Sequence, residues 1–138
     1  MSTFENLTLT KQLRNAIDEL GFAKPTPIQE QSFSVVRSGA DVVGIAQTGT
    51  GKTLAYMLPV LQDMKFSKLD TPRVLVLVPT RELVLQVVER INEFAKYMNV
   101  RVLGVYGGTN INTQKKACSV GVDIVVATPG RLYDLAAC

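Results

Sequence analysis

The chain has 138 residues, 46% of them hydrophobic, and 15 Lys and Arg against 12 Asp and Glu give it a net charge of +3. That length fits one globular domain or part of one, and the charge is only a mild lean toward anionic partners, because Lys115 and Lys116 are the only adjacent basic residues. The absence of His, with two cysteines, Cys118 and Cys138, outside any CxxC spacing, excludes a Ser-His-Asp triad, a zinc site and a disulfide scaffold. No apolar run approaches the roughly eighteen residues of a membrane span and no signal-type segment follows Met1, so a soluble, cytoplasmic setting without a membrane is the default expectation.

In chain order, Leu9, Leu13, Ala16, Ile17 and Leu20 recur at helical spacing and Gly21 provides a stop. Phe22 is expected in the core. Thr26 fits as N-cap with Pro27 at the first helical position, and Ile28 to Val36 make a second helix that Gly39 closes. Four segments rich in Val, Ile or Leu are strand candidates: Asp41 to Ala46, Arg73 to Pro79, Arg101 to Tyr106 and Val122 to Thr128. Between the second and third, Val84, Val87, Val88, Ile91, Phe94, Ala95 and Met98 mark one apolar helical face. Helices alternating with apolar strands predict a parallel α/β sheet, with ligands beyond the strand C-terminal ends.

The segment Ala46-Gln47-Thr48-Gly49-Thr50-Gly51-Lys52-Thr53 stands where the first strand hands over to a helix. Its glycines let successive N–H groups turn inward on an anion, Lys52 can reach terminal phosphates, and the Thr53 hydroxyl can hold Mg²⁺. Ala46 replaces the first glycine of the common pattern. The bland alternative is a Gly/Thr-rich surface turn.

Four segments fall in fixed order at strand or helix ends: residues 21–29, the phosphate loop at 46–53, Pro79-Thr80-Arg81-Glu82-Leu83, and Thr128-Pro129-Gly130-Arg131. With Gly107-Gly108 between the last two, and Phe4 seventeen residues before Gly21, this order resembles the DEAD-box RNA helicases over nearly the whole chain. The resemblance implies a RecA-like phosphate-loop domain, with residues 4–29 forming the Q motif region. It implies ATP and Mg²⁺ as cofactors. Gln29 would read the adenine edge and Phe4 stack on the ring, while Ala46, Gln47, Thr48, Gly49, Thr50, Gly51, Lys52 and Thr53 hold the phosphates. Lys52 and Thr53 would serve the chemistry, Thr53 as the magnesium ligand. From spacing alone, Gln29 can equally complete a capping box with Thr26.

Thr80 and Thr128 are good N-caps, and Pro129 suits the first helical position. Arg81 and Arg131 sit in first turns, where a helix dipole gains nothing from a cation, so their placement asks for an anion. By resemblance that anion is the RNA backbone, bound independently of sequence by Pro79, Thr80, Arg81, Gly107, Gly108, Thr128, Pro129, Gly130 and Arg131.

Hydrolysis by a phosphate-loop protein also needs a carboxylate at a second strand end. Asp41 and Asp123 precede their strands, Asp134 lies in the final helix, and Glu82 suits a helix first turn. The family's Asp-Glu-Ala-Asp motif and second RecA-like domain have no counterpart in the sequence. Residues 1–138 are therefore expected to be the front of the first RecA-like domain, truncated before the Walker B strand, and inactive alone; a stand-alone nucleotide- and RNA-binding module is the alternative. Without its usual neighbours, the strand from Asp41 to Ala46 is expected to leave an apolar surface prone to self-association.

Overall fold

The structure is a computed structural model, which describes Phe4, Leu7 and residues 9–22, 24–47, 51–65, 68–69 and 71–136. The chain divides into two compact units, Met1–Lys65 with Glu93–Met98, and Phe66–Asn92 with Asn99–Cys138.

The first unit is helical: α1 (Lys11–Glu19), α2 (Pro27–Arg37) and α3 (Lys52–Asp63). Each starts for a local reason. Thr10 caps α1 by accepting the Leu13 N–H, Pro27 opens α2 behind Thr26, and Gly51 enters α3 in the left-handed conformation, φ +78°. Leu13, Ala16 and Ile17 of α1, Phe33 of α2, and Leu54, Met57, Leu58 and Leu61 of α3 supply its core. Pro59 lies inside α3 and cannot donate to the Ala55 carbonyl four residues back. The buried Ser32 hydroxyl of α2 donates there instead, at 3.0 Å, which ties α2 to α3 where the ladder is broken.

The second unit holds a three-stranded parallel sheet of β1 (Val74–Leu77), β2 (Val102–Val105) and β3 (Ile124–Ala127), in the order β1-β3-β2. Register aligns Val74, Ile124 and Val102 at one end and Leu77, Ala127 and Val105 at the other. The central strand β3 is buried at every position, as expected for a parallel strand covered on both faces. Three helices follow the strands: α4 (Arg81–Phe94), α5 (Ile111–Val120) and α6 (Pro129–Ala136). The apolar face expected for α4 is present, with Val84, Val87, Ile91 and Phe94 buried, and Leu132 and Leu135 of α6 pack on the cluster around Val105 and Val125.

At the N-terminal end of the sheet, Asp123 is 1% exposed and lies between two arginines, Arg73 at 3.1 Å and Arg101 at 3.0 Å. It also accepts the Arg101 N–H at 2.9 Å. Donation from Arg101 outweighs burial and holds the Asp123 carboxyl at about 2, below its ordinary 3.8. One carboxylate thereby fixes the starts of all three strands.

Two expectations fail. Residues 41–47 form no strand: Val43 and Ile45 are 90% and 91% exposed. A strand exists only by its ladder, and among the described residues β1 and β2 pair with β3 alone. Phe22, expected in the core, is 37% exposed beyond the end of α1.

Candidate functional site

In the first unit, Thr26 and Gln29 bring the start of α2 to the start of α3. The Gln29 side chain is 5% exposed; its Oε1 accepts the Thr26 N–H at 2.9 Å, the return bond of a capping box whose Thr26 hydroxyl is buried with no hydrogen-bond partner among the described residues, and its Nε2 donates to the Gly51 carbonyl at 3.1 Å. The two partners fix the amide orientation, because an N–H needs the oxygen and a carbonyl needs the nitrogen. A primary amide carries two donors and two acceptor lone pairs, so these contacts use one of each and leave the complementary pair that a base edge requires. A Cβ at Gly51 would lie 2.2 Å from Gln29 Nε2, and no side chain fits there without displacing that contact.

Of the phosphate loop, Ala46, Gln47 and Gly51 to Thr53 are described, whereas Thr48, Gly49 and Thr50 lie outside the described residues. Lys52 is exposed at the first position of α3, whose first turn holds no acid and whose N-cap offers no side-chain acceptor. The start of α3 thus presents a cation beside helix N–H groups, an arrangement that favours an anion. Thr53 is half-buried and hydrogen-bonds the side chain of Tyr56, whose phenol is pushed up by burial against that bond. No group of three His, Cys, Asp or Glu that could hold a metal occurs among the described residues. A cavity beside α2 is lined by Pro27, Ile28, Gln31, Ile45 and Ala46. Phe4 is 5% exposed, so protein covers the ring that the resemblance implies for adenine.

In the second unit, the residues singled out for RNA meet at one edge, the C-terminal ends of the strands. After β1, the Thr80 hydroxyl accepts the Leu83 N–H at 3.2 Å and α4 begins with Arg81, which is exposed. The Arg81 guanidinium lies 5.0 Å from the ring centre of Tyr106, the residue after β2. A Cβ on Gly108 would approach Arg81 Nη1 to 3.7 Å, and Gly108 has φ +84°, a conformation few side chains tolerate. After β3, the Thr128 carbonyl accepts the Leu132 N–H and α6 opens with Pro129-Gly130, both exposed. Arg131 turns toward the glycine turn: both its terminal nitrogens donate to the Thr109 carbonyl at 3.1 Å, and Nη1 also donates to Gln114 Oε1 at 2.9 Å.

One exposed cation, two helix N-termini and a glycine turn thus share the edge opposite Asp123. Such an edge can hold a chain of phosphates without reading bases. The family model for DEAD/DEAH box helicases matches residues 26–137. The chain belongs to that family. It is 46% identical to ATP-dependent RNA helicase DeaD of Escherichia coli across 96% of this chain and 21% of the relative. It is also 46% identical to the pre-mRNA-processing ATP-dependent RNA helicase PRP5 of Lodderomyces elongisporus, over 98% of this chain and 14% of that protein. A solved structure, a hypothetical ATP-dependent RNA helicase from Sulfolobus tokodaii, superposes with a TM-score of 0.82 at 40% identity, over 94% of this chain and 37% of its own. The fold is therefore RecA-like, and the chain spans about a fifth of the first curated relative's length.

Two site residues were missed in the sequence. Tyr106 was read only as a strand end, although an aromatic directly before two glycines is a ready platform for a cation. Gln114 carries no motif signal.

Proposed function

We propose that residues 1–138 are part of the first RecA-like domain of an ATP-dependent RNA helicase, that they bind an adenine nucleotide and the RNA backbone, and that the whole protein, cytoplasmic, unwinds RNA with a second RecA-like domain. The observation that carries the reading is the convergence of Thr80, Arg81, Gly108, Thr128 and Gly130 on one end of a parallel sheet. Arg81 supplies the exposed cation, while Gly108 and Gly130 have no side chain of their own to screen their N–H groups. Thr80 and Thr128 set where α4 and α6 begin. Such contacts position a strand through phosphate and ribose, which makes binding independent of sequence.

The nucleotide half rests on Gln29 reaching Gly51. The residue proposed to read adenine touches the residue that starts the phosphate-binding helix, so base and phosphates would be held by one connected unit. Lys52 and the loop from Ala46 to Gly51 would take the phosphates, Thr53 the magnesium ion, and Phe4 the adenine ring once uncovered. ATP supplies the free energy of unwinding in the whole protein. Of the carboxylates weighed in the sequence, Asp123 is bound to arginines at the N-terminal end of β3, and Glu82 is exposed in the first turn of α4. Binding without turnover is accordingly proposed for this chain alone.

Fluorescence anisotropy with a labelled oligouridylate tests the RNA half. Arg81→Ala should weaken binding about tenfold and lower the salt dependence by about one phosphate contact, with similar losses on oligoadenylate. Equal affinity of wild type and Arg81→Ala would exclude this edge as the site.

A further inference from the structure

Among the residues of α5, Gln114 is the buried one, at 7% exposure. The helix is thus tied down by an amide where an aliphatic side chain would ordinarily serve. Burying an amide is costly unless its groups are paired, and here they are. Nε2 donates to the Tyr106 carbonyl at 3.1 Å and to Thr109 Oγ1 at 2.8 Å, while Oε1 accepts from Arg131 Nη1 at 2.9 Å. Arg131 in turn donates to the Thr109 carbonyl. The carbonyls on either side of Gly107-Gly108 are therefore both pinned, the leading one by Gln114 at 3.1 Å with the Thr109 hydroxyl at 3.3 Å and the trailing one by Arg131, and Gln114 and Arg131 hold each other.

We infer that Gln114 is a positioning residue that keys the Gly107-Gly108 turn, through Arg131, to the first turn of α6. The inference rests on the RNA reading above. Arg131 then serves RNA binding through the turn it holds, and Gln114 sets the direction in which the Gly108 N–H points beside Arg81. Apolar packing cannot do this, because the position of a carbonyl is fixed by a donor aimed at it.

The test compares the full chain with Gln114→Leu, which keeps the bulk and removes the hydrogen bonds, and with Gln114→Glu, which keeps the acceptor for Arg131 and loses the donor to Tyr106. The readouts are oligouridylate anisotropy and the amide resonances of Gly107, Gly108 and Thr109 without RNA. Gln114→Leu should move those resonances and weaken RNA binding about tenfold, the equivalent of one net hydrogen bond. The salt slope should stay unchanged, because no cationic phosphate contact is lost. Gln114→Glu should give a smaller loss, and it carries the test if Gln114→Leu does not fold. Wild-type affinity in both variants, or weakened binding with unmoved turn resonances, would overturn the inference. Wild type failing to bind oligouridylate would instead overturn the RNA reading, and this inference with it.

Discussion

Asp123 shows what one residue does for the sheet. Its carboxylate is buried while Arg73 and Arg101 keep side-chain exposures of 29% and 37%, so the pair energy is gained close to water and its removal leaves no fully buried cation. Replacing Asp123 by Asn should cost about 2 to 3 kcal/mol, below the usual range for breaking a fully buried pair. The sign of the pH dependence follows from the lowered carboxyl. Its stabilisation is complete above the unfolded value near 3.8 and is lost as pH falls through about 2. Urea melts of wild type and Asp123→Asn should therefore differ at neutral pH, draw together as pH falls below 3.8 and converge at about 2; a gap constant with pH would contradict the assignment. None of this was legible in the sequence, because Arg73 and Arg101 lie 50 and 22 residues from Asp123 and meet it only through strand register. Gln114 was hidden for another reason: two of its partners are near in sequence, but a glutamine on a polar helix reads as solvated. Gln29 was legible as the partner of the Thr26 N–H, whereas its contact with Gly51 shows only in the structure.

Among the elements, β1, β2 and β3 lie inside the segments read from Val, Ile and Leu runs, and α1, α2 and α4 follow their apolar periodicity and caps. No residues were named for α5, since its face is polar and its cap, Asn110 accepting the Asn112 N–H, is a local signal easily lost among turn residues. The segment 41–47 had the composition of a buried strand, and among the described residues no strand pairs with it. Gly104 inside β2 marks a close approach: a Cβ there would lie 2.8 Å from Val84 Cγ1 and 3.1 Å from Val88 Cγ2 of α4. Gly104→Ala should overpack this contact and destabilise by about 1 to 3 kcal/mol. Adding Val84→Ala should return part of that loss in a thermal-melt double-mutant cycle, whereas strict additivity would show that the two sites do not share the space.

For the molecule as a whole, Val42, Val43 and Ile45 before α3, and Leu75 and Leu77 on β1, expose apolar surface in each of the two units. Extended apolar backbone without a ladder partner is a template for association. Light scattering should show mass rising with concentration, and replacing Val43 and Ile45 by Lys should shift the chain toward monomer; a wild type monomeric at every concentration would mean that this surface drives nothing. In the proposed function, the phosphate loop and Gln29 together hold an adenine nucleotide. Isothermal titration calorimetry of the chain with ADP, ATP and GTP in the presence of Mg²⁺ tests it most directly. ADP and ATP should bind, GTP should be at least tenfold weaker because the proposed Gln29 contact is matched to adenine, and Lys52→Ala should lose at least tenfold in ADP affinity, about 1.4 kcal/mol or more. Unchanged ADP binding by Lys52→Ala, or GTP bound as tightly as ATP, would contradict it.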